Sequence, residues 1–241
     1  MNRYYLTEII YIQDNIMYIQ GKKIHTNNWH HILKDYGWGK LPLQWIKKLN
    51  KLADSKTKNS RFGVLDCEED GDCFFHCIAN ALNERDRDKG EQYNSIDIRN
   101  NIADSITEEE FQNLISYYRI MKDADDFDEN WDPYKIESIG DFKRQIRKSG
   151  NNYWGDFLLL SLILQILRLN IYILNHNEKE KEPTIYNTLN EYNSKYNTIF
   201  LLYENNCHFR LVGYFDDNQM ISYFSNENIP LEFIKLFNLK Y

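Results

Sequence analysis

Asp70-Gly71-Asp72-Cys73-Phe74-Phe75-His76 is the stretch of this 241-residue chain that decides its fold. A glycine turn between two acids leads into Cys73, and apolar residues then recur at helical spacing, which predicts a helix that begins at this cysteine. The N–H groups and positive dipole end of a helix lower the pKa of a thiol from about 8.5 into a range of roughly 3.5–7.5. We therefore expect Cys73 to be largely ionised at neutral pH, and the thiolate is the nucleophilic form of cysteine.

A cysteine nucleophile needs a base, and the chain offers a histidine far downstream. His208 lies in Asn206-Cys207-His208-Phe209-Arg210, at the predicted start of a strand. It follows Cys73 by 135 residues (208 − 73), a separation at which two side chains meet only through folding. A surface histidine is the alternative interpretation of His208. His76, on the predicted helix, is interpreted as structural.

These two segments together resemble the OTU (ovarian-tumour) family of papain-like cysteine proteases. That family carries Asp-Gly-x-Cys-x-Phe-His/Arg at the nucleophile and a late His-aromatic pair at the entry of a strand. Tyr153-Trp154-Gly155-Asp156, which opens an apolar helix, is a third and weaker similarity. The resemblance spans residues 61–215 and implies an α+β papain-like OTU fold, in which helices flank a small central, mostly antiparallel β-sheet.

OTU enzymes are deubiquitinases, so the resemblance implies a thiol-dependent ubiquitin hydrolase that acts on ubiquitin or polyubiquitin chains. The reaction is hydrolysis of the isopeptide bond after the C-terminal glycine of ubiquitin, through a thioester. The catalytic residues implied are Asp70, which is expected to shape the turn, Cys73 and His208. The residues expected to contact substrate are Gly71, Asp72, Trp154, Gly155 and Phe209. Backbone N–H groups of Cys73 and of the preceding turn are expected to meet the oxyanion.

One position departs from the family pattern. In many OTU enzymes an Asp or Asn two residues after the histidine orients it, but here that position is Arg210, which has no hydrogen-bond acceptor. Asn206, two residues before His208 on the same side of an extended chain, is the first candidate for this role. Asp35, far upstream, is the second candidate.

Other interpretations stay open for the function and for some residues. The chain is alternatively a non-catalytic ubiquitin-binding module, or a protease that acts on a ubiquitin-like modifier or a viral polyprotein. Trp154 is alternatively a core residue. A zinc site is disfavoured because Cys73 and Cys77 are spaced for one helical turn and not for a zinc knuckle. We expect no metal and no cofactor.

Composition limits the partners. The chain has 29 basic and 36 acidic residues, a net charge of −7, and no basic block that would favour nucleic acid. The most apolar run, Phe157 to Leu164, is shorter than the roughly 20 residues that a membrane span needs. We expect a cytosolic protein, in the host cytosol if it comes from a virus or intracellular pathogen, an origin that the frequent Asn, Ile, Lys and Tyr suggest.

Residues 1–58 are interpreted as an N-terminal extension, a hairpin followed by a helical segment, and residues 59–241 as the OTU catalytic domain. The predicted hairpin pairs Tyr4–Ile12 with Ile16–Gln20. The elements predicted in the catalytic domain include a helical region over Ile98–Tyr118 with a cap at Thr107, a short helix over Ile139–Ser149, a buried helix over Phe157–Leu167, and strands over Ile171–Leu174, Thr198–Tyr203 and Phe209–Phe215.

Overall fold

The computed structural model describes residues 8–53, 60–68, 70–90, 92–127, 129–186 and 192–239. The predicted domain boundary at residues 58 and 59 lies outside these ranges, as does the beginning of the first predicted strand. No helix within them is long and apolar enough to cross a membrane.

A three-stranded antiparallel sheet opens the described chain. Its strands are β1 (Ile10–Gln13), β2 (Ile16–Ile19) and β3 (Lys22–Lys23). Asp14 and Asn15 join β1 to β2 with φ angles of 50° and 60°, which is the left-handed geometry of a tight two-residue hairpin turn. The predicted hairpin is therefore confirmed over its described part.

A seven-stranded sheet forms the centre of the fold. Its strands are β4 (Trp38–Lys40), β5 (Phe62–Leu65), β6 (Leu169–His176), β7 (Thr184–Tyr186), β8 (Asn197–Glu204), β9 (His208–Phe215) and β10 (Met220–Ile221). The order is β4-β5-β9-β8-β6-β7, and β10 pairs with β9. Only β6 and β8 run parallel, whereas the other described pairs are antiparallel. The mostly antiparallel sheet and the helices around it confirm the predicted α+β class.

Eight α-helices accompany the sheet in the described chain. They are α1 (Trp29–Ile32), α2 (Leu43–Leu52), α3 (Cys73–Arg85), α4 (Ser95–Ser105), α5 (Glu108–Asp123), α6 (Ile139–Ile146), α7 (Phe157–Leu167) and α8 (Leu231–Phe237). The predicted helical region Ile98–Tyr118 consists of two helices, because a capping box between Thr107 and Glu110 starts α5 anew. Helix α7 has the predicted bounds, and its N-cap Asp156 accepts the N–H of Leu159.

The central sheet is covered on both faces. Helices α3 to α7 pack on one face around residues such as Leu201 and Leu211, whereas α2 and α8 pack on the other around Phe200 and Val212. Trp45 of α2 is fully buried, and its indole N–H donates to the carbonyl of Asn175 at 3.1 Å. Within residues 38–52, β4 therefore pairs in the sheet that carries His208, and α2 packs against that sheet.

The packing of α2 makes a prediction about stability. Trp45→Ala should lower the free energy of unfolding by about 3–5 kcal/mol, because it leaves a cavity under the sheet and removes the indole N–H from Asn175. Leu43→Ala on the same helix is the matched control, since Leu43 is 63% exposed and should cost less than about 0.5 kcal/mol. Urea unfolding curves measure both changes. Equal losses in the two variants would contradict the packing of α2 described above.

Candidate active site

A turn that only glycine fits brings Cys73 to the start of α3. Gly71 has a φ of 88°, and a Cβ atom there would lie 2.4 Å from Asn151 Oδ1 and 2.5 Å from the carbonyl carbon of Gly150. Asp70 Oδ1 accepts the N–H of Asp72 at 2.9 Å, as in an Asx turn. The turn is thus fixed from within by Asp70 and from outside by the chain at Gly150.

The start of β9 lies against the sulfur of Cys73. The backbone N–H of Phe209 donates to Cys73 Sγ at 3.4 Å. Two covalent bonds separate the Phe209 nitrogen from the Cα of His208, so that Cα lies within about 6 Å of the sulfur. The fold therefore brings together the two residues that the sequence predicts as nucleophile and base.

Cys73 and His208 border a common cavity of about 410 Å³. The other residues from the sequence predictions that line it are Gly71, Trp154, Gly155, Asn206 and Phe209. Asp70 and Asp72 are not among its lining residues. The carboxylate of Asp72 is buried and bonded to Arg99, and that of Asp70 lies 3.2 Å from His76 Nε2.

The predicted low pKa of Cys73 is wrong for the structure at rest. The residue is only 8% exposed, and burial raises the pKa of its thiol to about 11, although the N–H groups of Phe209 and Phe74 act in the opposite direction. A helix terminus typically stabilises a charge by about 0.3–1 kcal/mol, which is less than the cost of burying one. Burial therefore favours the neutral thiol of Cys73 in the free protein.

An acid outside the predicted site residues lies near His208. Asp66 directly follows β5, which pairs with β9, and its Oδ1 lies 4.0 Å from His208 Nε2. Asn206 borders the cavity from a turn in which its φ is 59°, and Asp35 lies exposed in the short turn after α1. The local sequence around Asp66 carries no signal for this position, because only the long-range pairing of β5 with β9 creates it.

Arg210 has its own partner. Its Nε lies 3.0 Å from Glu204 Oε2, at the end of the neighbouring strand β8. The register pairs Glu204 directly with His208, so Glu204 and Arg210 lie on the same side of the sheet as the histidine. The arginine that replaces the usual orienting residue is thus neutralised by a carboxylate beside it.

The segment before α7 forms one wall of the cavity. Trp154 is 37% exposed, its backbone N–H donates to Glu129 Oε2 at 3.0 Å, and its indole N–H donates to Asn151 Oδ1 at 3.2 Å. Gly155 packs so closely on Phe74 that a Cβ atom would lie 2.0 Å from the ring. Trp154 is therefore a cavity residue and not part of the core.

Three acidic residues border the cavity among mainly aromatic ones. Asp126, Glu129 and Asp156 contribute carboxyl groups, and none of the described residues that border the cavity is Lys or Arg. Burial raises the pKa of Glu129 to about 8, with a further contribution from the charge of Asp156, and raises the pKa of Asp156 itself to about 6. At neutral pH the raised pKa therefore keeps most of the Glu129 carboxyl protonated, and the wall beside Trp154 carries less negative charge than its residue types suggest.

Comparisons with known proteins agree with the sequence motifs. A family model described as OTU-like cysteine protease matches residues 68–209, more than half of the chain. No curated protein sequence matches this chain. The chain is similar to a solved OTU domain in complex with ubiquitin, with 19% identity, 73% of this chain and 81% of that chain covered, and a TM-score of 0.44.

Two further solved structures are similar to the chain. One is an OTU deubiquitinase from Wolbachia pipientis wMel, with 16% identity, 66% of this chain and 92% of that chain covered, and a TM-score of 0.42. The other is the viral OTU domain protease from Dera Ghazi Khan virus, with 15% identity, 70% and 88% covered, and a TM-score of 0.36.

The raised pKa of Cys73 predicts how the free protein reacts with iodoacetamide. The rate of alkylation at Cys73 should rise with pH from 7 to about 10 without reaching a plateau, because the thiolate fraction is still increasing there. Peptide mass spectrometry separates Cys73 from the exposed Cys207, which serves as an internal control. Far-UV circular dichroism defines the pH range in which the protein stays folded. An alkylation rate at Cys73 that stays constant from pH 7 to 10 would contradict the prediction.

Proposed function

Because the chain belongs to the OTU-like cysteine protease family, we propose that it is a thiol-dependent hydrolase that cuts the isopeptide bond after the C-terminal glycine of ubiquitin. The observation that carries the proposal is the 3.4 Å contact from the Phe209 N–H to Cys73 Sγ, which brings the His208 backbone to the sulfur. Ubiquitin is the substrate that the family resemblance implies. The net charge of −7 favours encounter with a mildly basic protein as the partner.

The chemistry begins from a neutral thiol. His208 takes the proton of Cys73 while Sγ attacks the glycyl carbonyl carbon, and the carbonyl π electrons move onto oxygen. The tetrahedral intermediate collapses as the C–N bond breaks, and His208 gives its proton to the departing lysine amine. The resulting thioester is hydrolysed by water, with His208 again acting as base, which regenerates the thiol and releases the glycine carboxylate.

The oxyanion would be met at the start of α3. The first N–H groups of a helix have no partner inside the helix, and Cys73 is the first residue of α3. The N–H of Asp72 already donates to Asp70, so we assign the oxyanion contact to the N–H of Cys73 and not to that of Asp72. One such donor typically lowers the barrier by about 2.7–4 kcal/mol.

Asp66 is our candidate for the group that orients His208. The 4.0 Å separation is an ion-pair distance and exceeds a hydrogen bond, so its attraction grows only when His208 becomes protonated during attack on the carbonyl. The Asp66 side chain is 48% exposed, so water screens its attraction to the protonated imidazole and the stabilisation is moderate. Asp66 would supply the acid that Arg210 cannot.

A non-catalytic ubiquitin-binding module is the second candidate function. The raised pKa of Cys73 and the 4.0 Å separation of Asp66 from His208 are the observations that favour it. Both candidates bind ubiquitin, but only the enzyme forms a covalent bond with it.

A ubiquitin probe with an electrophilic C-terminus separates the two functions. The wild-type protein should form a covalent adduct that is absent in Cys73→Ala and much slower in His208→Ala, because the sulfur is the nucleophile and the imidazole removes its proton. Cys207→Ala is the matched control and should react like wild type. Intact-protein mass spectrometry measures the adduct. Binding without an adduct would favour the module, and an adduct in Cys73→Ala would overturn the assigned nucleophile.

The role of Asp66 has its own test. Asp66→Asn should lower kcat/KM on a fluorogenic ubiquitin substrate by about 2- to 5-fold, since it removes the partly screened charge beside the protonated imidazole. Asn206→Ala is compared in parallel, because Asn206 is the rival that the sequence suggests. A loss in Asn206→Ala with unchanged activity in Asp66→Asn would assign the orienting role to Asn206 instead.

A further inference from the structure

Arg99 of α4 is a buried cation that the proposed reaction does not use. Its side chain is completely buried and stacks on the ring of Phe75, with 3.9 Å between the guanidinium carbon and the ring centroid. Its three nitrogens donate to three separate segments of chain. Nε donates to Asp72 Oδ1 at 3.0 Å, Nη1 to the carbonyl of Ile146 at 2.8 Å, and Nη2 to the carbonyl of Tyr153 at 2.8 Å and also to Asp72.

Asp72 connects the same segments from the other side. Its residue is 4% exposed, and Oδ1 accepts the N–H of Gly150 at 2.9 Å in addition to the Arg99 contacts. Its second oxygen accepts the hydroxyl of Ser95 at 3.4 Å. The Asp72–Arg99 pair thus joins the turn that ends at Cys73 to the segment that ends at Trp154.

Stability alone does not account for this pair. Burying two charges costs solvation that their attraction only partly recovers, and well-packed apolar residues in place of a buried ion pair are often neutral or stabilising. A guanidinium with defined donor directions instead fixes where its acceptors lie. The two neighbouring residues, Cys73 and Trp154, are the nucleophile of the proposed reaction and a wall of the cavity.

We propose that Asp72 and Arg99 are positioning residues that hold the nucleophile turn and the cavity wall at a fixed separation. This inference rests on the proposed function. The pair sets the direction of the peptide group between Asp72 and Cys73, and hence of the Cys73 N–H, relative to a substrate held against Trp154. Asp72 therefore acts through Cys73 and Trp154 and does not contact substrate, which revises its predicted binding role.

Two conservative variants test the proposal. Asp72→Asn keeps the shape and an acceptor for the Gly150 N–H but removes the charge, and Arg99→Lys keeps the charge but cannot bond three segments at once. Both should lower kcat on a fluorogenic ubiquitin substrate at least 10-fold. The affinity for ubiquitin, measured in a Cys73→Ala background to prevent turnover, should change much less.

Asp86→Asn is the matched control for loss of a buried, ion-paired carboxylate. The Asp86 side chain is fully buried at the far end of α3, where it pairs with Arg85 and with Lys89 at 2.7 Å. About 20 Å of helix separates it from Cys73. Asp86→Asn should lower the melting temperature and leave kcat unchanged. If Asp72→Asn and Arg99→Lys keep wild-type kcat, or lose no more than Asp86→Asn, the proposal is overturned.

Hydrogen exchange keeps this inference distinct from the proposed function. Peptides that cover residues 70–74 and 149–155 should exchange faster together in Asp72→Asn and Arg99→Lys but not in Asp86→Asn. An inactive wild-type protein with this coupled change would overturn the proposed hydrolase while supporting the positioning role. An active wild-type protein whose variants change neither exchange nor kcat would overturn the positioning role alone.

Discussion

The contact between the Phe209 N–H and the sulfur of Cys73 is the constraint on which the site depends. It joins the first residue of α3 to the beginning of β9, two elements that are 136 residues apart in the chain. Strand β9 is hydrogen-bonded to β5 on one side and to β8 on the other. The backbone that contacts the sulfur is therefore fixed in position by the sheet. Once this contact is made, the positions of His208 and Asp66 follow from the register of β5 and β9.

Burial affects the pKa of the Cys73 thiol more than the helix terminus does. The same aromatic packing that fixes Phe209, through rings of Phe74 at 5.1 Å and Tyr203 at 4.5 Å, keeps water from the sulfur. The thiol pKa therefore rises, and the negative charge is best formed only when a substrate carbonyl is present to accept the electron pair. In the proposed reaction, a neutral resting thiol makes activation depend mainly on His208 and on the group that orients its ring.

Local patterns in the sequence predict what local physics decides. The glycine turn predicts the start of α3, the cap at Thr107 predicts the start of α5, and alternation predicts β9 with His208 at its entry. The short strand β4 lies in a segment that the sequence predicts to be helical. Its three residues form a strand because they pair with β5, and a local pattern does not indicate such pairing. The pairs Asp66–His208 and Asp72–Arg99 each join residues that are distant in the chain. The sequence around each residue therefore gives no indication of its partner.

The depth of Cys73 also bears on oxidative damage. Peroxides attack cysteines according to their thiolate character and exposure, and Cys73 has little of either at rest. Cys207 is exposed and borders the same cavity. An oxidant therefore meets Cys207 first, and a sulfenic acid or mixed disulfide formed there lies at the border of the cavity that Cys73 also lines.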